Sequence, residues 1–322
     1  MNIPLVSVVI LNWNGKKYIH QCIESVLKQT YLNIEVVFVD NNSTDTSLEE
    51  CKKLYPHFVY VLNEDNFGYA KGMNIGINKS KGDCVLLLNT DVSLESSYIE
   101  KCVEVLYLNN NLGCVAGIEY VWDKGTFSDQ KAFCGTYGIS YHLQISSNNT
   151  IHTPAFGVSG SFPIYKMSVI QDVIQSTGNF FDEYFETGWE DNDLRFLIFL
   201  LGWETLCVTD TKAWHVGSAS ANEQKSLYCK DKEYQTRIFR NRFFVQHKYI
   251  KGTYHIWYFY LMIVNMILPF YFLFFHPRSF SPFVNGYKNY KHKIKELNQK
   301  REMIEIAKRV PKQSIYKYII GL

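Results

Sequence analysis

The sequence predicts an α/β protein with an open, largely parallel sheet and a helical C-terminal extension. Two observations predict it: short apolar runs alternate with helical patterns over roughly the first 90 residues, and the last third of the chain is aromatic and then basic. Of the 322 residues, 47% are hydrophobic and 20% are charged, which is enough to bury one large core or two ordinary ones. This composition excludes a disordered chain, a collagen-like rod and a disulfide-held miniprotein.

The strands are predicted from apolar, β-branched runs, because a parallel strand covered on both faces is hydrophobic along its whole length. In chain order these runs are Leu5–Leu11, Ile34–Val39, Phe58–Leu62, Cys84–Leu88, Cys114–Val121 and Leu206–Thr209. Helices between successive strands indicate βαβ units, so the carboxyl ends of the first strands should meet at one edge of the sheet.

The helices are predicted where apolar residues recur every three or four positions. The predicted ranges are 18–27, a helix ending near Lys53, Tyr69–Asn78, Glu95–Leu108, Ser168–Ile174, Leu194–Leu201 and Ser226–Tyr249. Residues 123–156 are polar and rich in turn formers, and we expect them to form a variable surface excursion.

Charge is distributed unevenly along the chain. The net charge is only +2, which argues against a nucleic-acid binder, but residues from Arg278 onward carry 11 Lys and Arg against 3 Asp and Glu. The eight cysteines show no C-x-x-C pair, which is typical of buried thiols in a reducing compartment. Met1–Gly15 lacks the basic start and small-residue cleavage site of a signal peptide, so a cytoplasmic location is expected.

Polar clusters follow three of the predicted strands. They are Asn12-Trp13-Asn14, Asp40-Asn41-Asn42 and Asn89-Thr90-Asp91. One such cluster could be an ordinary turn, but three at equivalent strand ends favour a ligand site. The chain contains neither G-x-G-x-x-G after the first strand nor a P-loop motif, so the charge of a bound diphosphate would need a divalent cation. Asp91 is the best candidate ligand for Mg²⁺ or Mn²⁺.

Three other motifs each leave two interpretations open. Gly68, Gly72 and Gly76 form a small-residue stripe that suits either a ligand or close helix-on-sheet packing. The acidic run at residues 186–193 is either a helix start near Glu190 or a source of a general base. His215, just beyond the last predicted strand, is either a structural histidine or a metal ligand beside an aspartate.

Taken together, these motifs resemble family 2 glycosyltransferases, and among them the branch that includes bacterial rhamnosyltransferases of O-antigen and cell-wall assembly. The resemblance covers residues 5 to about 245 and rests on these segments, in this order: VSVVILNWNGKKYIHQCIESVLKQTY, IEVVFVDNNSTD, NEDNFGYAKGMNIGI, GDCVLLLNTDV, GVSGSFPIYKMSVI, FFDEYFETGWEDNDLRF and AWHVGS. It implies a GT-A fold, in which a Rossmann-like, nucleotide-binding open mixed sheet is flanked by helices.

The resemblance also implies a donor site. The expected nucleotide-sugar-binding residues are Asn12, Asp40, Asn42, Asn66, Gly68, Asn89 and Asp91. Asp40 would contact the nucleobase, and Asn89 replaces the first aspartate of the D-x-D motif, where it would meet the sugar or ribose. Asp91 and His215 would be the ligands of a divalent cation, Mn²⁺ or Mg²⁺.

On the acceptor side, the resemblance assigns Asp191 as the catalytic base, with Glu190 next to it. Gly160, Ser161 and Trp189 would line the acceptor pocket. One position departs from the family pattern: Leu197 stands where an arginine often follows the base aspartate. The nearest arginine, Arg195, is expected on a different face of the helix and is given no role.

These assignments predict a catalytic domain at 1–225, with a donor half at about 1–122 and an acceptor half at 123–225, and a helical extension at 226–322. The predicted reaction is inverting, metal-dependent transfer of a sugar, with rhamnose as one candidate, from a nucleoside-diphosphate sugar to a glycan or polyprenyl-linked glycan. Two alternatives stay open: a degenerate transferase acting as a membrane-bound assembly partner, and a sugar-nucleotide pyrophosphorylase. The second would need a Gly-rich loop with an arginine after the first strand, and Asn12-Trp13-Asn14-Gly15 does not supply one.

The segment Tyr254–Phe275 contains no Asp, Glu, Lys or Arg over 22 residues. As a helix it would be about 33 Å long, enough to cross a bilayer core, but basic residues flank it on both sides. We therefore expect an interfacial or re-entrant segment on the cytoplasmic face of the plasma membrane, attracted to anionic lipid. A true span, and a buried or homo-oligomer helix, are the alternatives.

Overall fold

A computed structural model describes residues 3–123, 126–133, 152–217, 227–251 and 256–315. Within these ranges, ten strands form one mixed sheet. They are β1 (Val6–Asn12), β2 (Ile34–Asp40), β3 (Val59–Leu62), β4 (Cys84–Asn89), β5 (Val92–Leu94), β6 (Leu112–Asp123), β7 (Thr126–Phe133), β8 (His152–Pro154), β9 (Ile164–Lys166) and β10 (Glu204–His215). The strand order is β3-β2-β1-β4-β9-β6-β10-β5, with β7 paired to β6 and β8 to β10.

Helices cover the sheet and form the C-terminal part of the described chain. The α-helices are α1 (Ile19–Leu27), α2 (Ser47–Leu54), α3 (Gly68–Lys79), α4 (Tyr98–Leu106), α5 (Met167–Thr177), α6 (Glu190–Leu200), α7 (Lys232–Val245), α8 (Ile256–Phe275), α9 (Pro277–His292) and α10 (Ile294–Ala307). Three short 3₁₀ turns lie at Glu183–Phe185, Leu227–Cys229 and Lys312–Ile315, and a π-helical turn at Gln246–Ile250 continues α7.

The predicted βαβ units are present. Strands β1, β2, β3 and β4 pair in parallel, so the polar clusters after β1, β2 and β4 meet at one edge. Beyond β4 the sheet is mixed, because β9 runs antiparallel between β4 and β6 while β10 is parallel to β6. Strands β5 and β9 were not predicted, since three residues are too few to show a periodic pattern.

Several predicted boundaries are wrong. Residues 123–156 were expected to be an excursion, but β7 and β8 lie within them; residues 134–151 are outside the described ranges. The last predicted strand, Leu206–Thr209, is the start of the longer β10, where the register with β6 shifts between Val208 and Lys212. Because this irregularity interrupts the alternation of apolar residues, the sequence pattern did not predict the second half of the strand.

The glycine stripe on α3 is explained by helix-on-sheet packing. A Cβ atom on Gly72 would lie 2.6 Å from Cδ1 of Leu11, and one on Gly76 would lie 2.4 Å from Cγ1 of Val9. Gly68 differs, because its φ is +77° and its Cβ would lie 2.9 Å from the Glu186 carbonyl oxygen. Of the three glycines, only Gly68 therefore belongs to the edge where the strands end.

The C-terminal helices share the core of the sheet domain. Val245, Tyr249, Leu297 and Ile304 all belong to the buried cluster that also holds the strands of the sheet. A buried ion-pair network reinforces this packing. The predicted division of the chain at residues 225 and 226 remains a prediction.

The network is centred on Lys248, whose side chain is 3% exposed. Its Nζ lies 2.6 Å from Oδ1 of Asp193 on α6 and 3.1 Å from Oδ2 of Asp182. Lys300, on α10, also pairs with Asp182. The two lysines lower the pKa of Asp182 to about 2, despite its burial. Helix α10 is thereby held near the start of the acidic helix α6.

The basic tail is partly neutralised within the chain. Five of its cations form ion pairs: Lys293 with Glu296, Lys300 with Asp182, Lys308 and Lys312 with Glu305, and Arg309 with Asp172. In the part of the chain that the structure describes, no helix is both long enough and apolar enough to cross a bilayer.

Candidate active site

A cleft of about 1260 Å³ opens where the carboxyl ends of β1 and β4 face the start of α6. Ten of the predicted site residues line it: Asn66, Gly68, Asn89, Asp91, Gly160, Ser161, Trp189, Glu190, Asp191 and His215. The three residues on which the prediction most depends, Asp91, Asp191 and His215, are thus brought to one cavity from the turn after β4, from α6 and from β10.

Asp91 and His215 form a pair at one end of the cleft. Nε2 of His215 lies 3.3 Å from Oδ2 of Asp91, and both side chains are about nine-tenths buried. On the other side of the ring, Nδ1 of His215 lies 2.8 Å from Oε1 of Glu119, whose Oε2 accepts a hydrogen bond of 2.7 Å from the Ser159 hydroxyl. Burial lowers the pKa of His215, but Asp91 and Glu119 outweigh it and raise the value to about 10.

The chemistry of this pair suits a divalent cation. A carboxylate oxygen and an imidazole nitrogen face the same cavity, and a second carboxylate, Glu119, orients the ring from behind, as in many metal-binding histidines. Among the described residues, no group of three or more His, Cys, Asp and Glu side chains could hold a metal. A cation here would therefore have two protein ligands, which is sufficient when diphosphate oxygens complete the shell.

Asp191 lies on the first turn of α6 and is fixed by its own helix. Its Oδ1 accepts hydrogen bonds from the Asn192 backbone and side chain at 2.8 and 3.0 Å, and its Oδ2 lies 2.5 Å from Nη2 of Arg195. Gly160 passes close by: a Cβ there would lie 2.9 Å from Cβ of Asp191. Arg195, which was given no role from the sequence, contacts Asp191 because an i,i+4 spacing puts both side chains on one face of the helix.

Glu190, next to Asp191, is in a different environment. It is 8% exposed, and in the described structure its Oε2 has no hydrogen-bond partner. Burial and the charge of Asp191 raise the pKa of Glu190 to about 8. The two adjacent carboxyl groups therefore differ: the raised pKa of Glu190 favours its protonated form, whereas Asp191 is paired with a guanidinium. The helix start predicted near Glu190 is present, so both interpretations of the acidic run apply.

Tyr69 connects the two ends of the cleft. Its hydroxyl donates a 3.0 Å hydrogen bond to the Gly160 carbonyl, and its backbone N–H donates to the Thr187 hydroxyl at 3.1 Å. Burial and the nearby charges of Glu190, Asp191 and Asp91 raise the pKa of Tyr69 well above its usual value. One phenol is thus within electrostatic reach of both Asp91 and Asp191.

Three predicted donor-site residues are not in the cleft wall. Asn12 is fully buried, and its Nδ2 donates to Oδ1 of Asp40 at 2.8 Å and to the Ser47 hydroxyl at 2.8 Å. Asp40 is 2% exposed and also accepts from the Ser43 backbone at 2.9 Å. Asn42 is exposed, with φ of +59°, in the turn that follows. These residues hold the loops after β1 and β2 in shape, and the cleft wall there belongs to other side chains.

The prediction missed residues that do line the cleft. Trp13, 47% exposed, and Asn41 lie beside the ends of β1 and β2. Helix α7 adds Tyr234 and Arg237, and Nε of Arg237 lies 3.0 Å from Oε2 of Glu186. Both Trp13 and Asn41 belong to the predicted polar clusters, so the sequence already indicated that they lie near the cleft. The sequence did not indicate that residues of α7 line the cleft.

A family model for Glycosyl transferase family 2 matches residues 7–174, which is more than half of the chain. The matched range contains β1 from its second residue, all of β2 to β4, and Asp91. The chain belongs to this family. The family predicted from the motifs is thereby confirmed, although the match ends before Asp191 and His215.

Curated relatives of this family 2 chain include an uncharacterized glycosyltransferase of Haemophilus influenzae, 31% identical over 156 residues. Glycosyltransferase GlyG of Streptococcus pneumoniae is 39% identical over 99 residues, and chondroitin synthase of Pasteurella multocida is 35% identical over 115. The alignments include 47%, 30% and 35% of this chain, and 46%, 33% and 12% of the relatives. The chain thus spans less than half the length of these relatives.

Solved structures similar to the family 2 chain confirm the predicted GT-A fold. GalNAc-T7 with UDP, GalNAc and Mn²⁺ aligns with a TM-score of 0.62 at 16% identity, over 92% of this chain and 55% of that one. A mannosyltransferase of Pyrobaculum calidifontis in complex with GDP-Man and Mn²⁺ aligns with a TM-score of 0.54 at 13% identity. This alignment covers 99% of this chain and 86% of the mannosyltransferase chain. At these identities the likeness concerns the fold alone.

Proposed function

We propose that this chain is an inverting, metal-dependent glycosyltransferase that moves a sugar from a nucleoside-diphosphate sugar to a hydroxyl of a glycan or lipid-linked glycan. The observation that carries the proposal is the single cleft that contains both the Asp91–His215 pair and the Asp191 carboxylate. Family membership and the nucleotide and Mn²⁺ named for similar structures support the same class of reaction.

On the donor side, Asp91 and His215 would hold Mn²⁺ or Mg²⁺, with Glu119 fixing the imidazole ring. The cation supplies positive charge for the leaving diphosphate. Asn89, at the end of β4, is available to hydrogen-bond to the sugar or ribose. Trp13, half-exposed at the end of β1, offers a flat face on which a nucleobase can stack. Asn12 and Asp40 would support this wall from beneath, without touching the base.

On the acceptor side, Asp191 would accept the proton of the attacking hydroxyl while the new bond to the anomeric carbon forms and the bond to the diphosphate oxygen breaks. Arg195 and Asn192 would hold its carboxylate in place. Burial and the charge of Asp191 raise the pKa of Glu190, which favours its protonated form and leaves the role of proton acceptor to Asp191. With Asp191 acting as base, the proposed reaction is a single displacement in which the anomeric configuration inverts.

The test uses the full chain, a panel of nucleoside-diphosphate sugars and Mn²⁺. A donor that binds should raise the melting temperature, and its transfer to a hydroxyl acceptor should yield a product of inverted configuration by NMR. Asp191→Asn should lower transfer by ~10²–10⁴ while donor binding persists, and chelation of the metal should stop transfer. Asp65→Asn, at an exposed aspartate outside the cleft, is the matched control.

Near-normal transfer by Asp191→Asn would exclude the base assignment, and transfer that persists in chelator would exclude the roles of Asp91 and His215. Donor binding with no turnover or hydrolysis under any condition would instead favour the degenerate transferase. Rhamnose, a polyprenyl-linked acceptor and a cytoplasmic, membrane-surface location are further parts of the proposal, and the donor panel addresses the first of them.

A further inference from the structure

Helix α8 presents a broad apolar face to solvent. Ile263, Met266, Ile267, Phe270 and Phe274 recur at helical spacing along that face, and each is more than half exposed. Exposed apolar patches of this extent mark interaction surfaces. The opposite face is anchored, because the ring of Phe272 packs 5.0 Å from Phe239 and 5.2 Å from Phe283. The exposed face is therefore presented by a helix that is fixed to the rest of the domain.

An apolar cavity of about 410 Å³ lies behind the first half of α8, between it, the π-helical turn and α9. Leu261 and Pro269 of α8, Ile250, and Val284 of α9 form part of its wall. Met262 and Met266 belong both to the wall and to the exposed surface, so the cavity adjoins the exposed face. Its volume is within the usual range of ~300–1,000 Å³ for small-molecule sites.

Positive charge is concentrated beside this cavity. Lys251 is part of its wall, and Arg301 and Lys291 are close enough that their charges, after burial, lower the pKa of Lys251. In the described ranges, neither Lys251 nor Arg301 forms an ion pair with a carboxylate, unlike five other cations of the tail. An apolar cavity with unneutralised cations at its side matches a molecule with a hydrocarbon chain and an anionic head.

We propose that α8 lies in the headgroup region of an anionic membrane and that the cavity behind it receives one hydrocarbon chain of an anionic lipid. Lys251 and Arg301 then contact the headgroup phosphate, and the exposed apolar face is buried among headgroups and upper acyl chains. The proposal does not depend on the chemistry of the cleft, so vesicle binding can be tested independently of sugar transfer.

The surface test is flotation of the full chain with vesicles of phosphatidylcholine, alone or mixed with phosphatidylglycerol. We expect binding to the anionic vesicles, and Ile267→Asp/Phe270→Asp should weaken it at least about tenfold, because two apolar side chains lose their burial. Leu32→Asp/Leu108→Asp, at two exposed leucines on the sheet domain, is the matched control and should bind normally. Lys251→Gln/Arg301→Gln should lower binding to anionic vesicles by about tenfold and leave neutral vesicles unaffected.

The cavity test uses spin-labelled phosphatidylglycerol. The wild-type chain should immobilise one labelled chain per protein, whereas Val284→Trp, which fills the cavity, should lose that signal and still float with anionic vesicles. Equal immobilisation by Val284→Trp, or none by the wild type, would overturn the assignment of the cavity.

The surface assignment fails if the Ile267→Asp/Phe270→Asp variant floats as well as the wild type. It also fails if that variant instead converts a dimer to a monomer in sedimentation without changing flotation, because the face would then join two copies of the chain. Circular dichroism and donor-induced melting shifts show that each variant is folded, since none of the substituted residues lines the catalytic cleft.

Discussion

The difference between Glu190 and Asp191 predicts opposite consequences for two conservative substitutions. Glu190→Gln replaces a carboxyl group that is already neutral at pH 7 with a neutral group of the same shape, so transfer should stay within a few-fold of wild type. Asp191→Asn removes the carboxylate that we propose accepts the proton, so transfer should fall by ~10²–10⁴. Side by side, the two variants separate the roles of neighbouring carboxyl groups.

The same difference has a thermodynamic signature. Because the pKa of Glu190 is raised to about 8 in the folded chain, its favourable contribution to stability is complete below its unfolded pKa and is lost as the pH rises through about 8. Glu190→Gln lacks this dependence. The free energy of unfolding of the variant, relative to wild type, should therefore increase between about pH 5 and pH 8, by a few kcal/mol, since one pKa unit corresponds to about 1.4 kcal/mol.

The assay is urea unfolding of both proteins at intervals from pH 5 to pH 9, with Glu64→Gln, at an exposed carboxyl group, as the control for a general charge effect. If the curves of wild type and Glu190→Gln run parallel across this range, Glu190 is not protonated in the fold. If Glu190→Gln loses as much activity as Asp191→Asn, the division of roles is wrong even where the stability curves differ.

Three further predictions concern packing around the site. Gly160→Ala should displace Asp191, because the Cβ of Asp191 would be 2.9 Å from the new methyl group. We expect kcat to fall by ~10–100-fold while the donor affinity measured by calorimetry stays unchanged. An unchanged kcat would mean that Asp191 has room to move. Trp13→Ala should weaken donor binding by ~1–3 kcal/mol in the same measurement, with Trp13→Phe close to wild type, and equal affinities for all three would remove the stacking assignment. Lys248→Met should leave the buried Asp193 without its paired cation, and Asp182 with Lys300 alone, and lower the free energy of unfolding by about 3–5 kcal/mol, or roughly 4–7 °C in melting temperature, whereas Lys293→Met, at an exposed pair, should change it little. A melting temperature for Lys248→Met equal to that of the wild type would show that water or rearrangement compensates the two carboxylates.

The sequence was most informative where one physical rule dominates. Buried parallel strands are hydrophobic along their length, and their carboxyl ends collect ligands, so β1 to β4 and the position of Asp91 were predictable. The donor contact of Asp40 stays a prediction, because a carboxylate after a strand can serve either a ligand or its own turn, and in the structure Asp40 accepts a hydrogen bond from the Ser43 backbone N–H of that turn.

Other features had no local signal. Glu119 stands inside β6, and only the long-range pairing of β6 with β10 brings it to His215. The contact between Arg195 and Asp191 could have been predicted, because residues four positions apart lie on the same face of a helix. The comparison with the family pattern considered the position of Leu197 instead. The cavity behind α8 depends on how three C-terminal segments pack, which periodicity cannot reveal.

The lysine network around Asp182 and Asp193 bears on how the protein is made. A ribosome releases the sheet and α6 well before Lys248, and Lys300 follows some fifty residues later. Until Lys248 emerges, these acidic groups have no paired cation, and until α10 follows, the part of the core that packs against Leu297 and Ile304 stays uncovered. A nonsense mutation in α9 would thus be expected to yield a product that proteases remove, even though every residue of the cleft had already been synthesised.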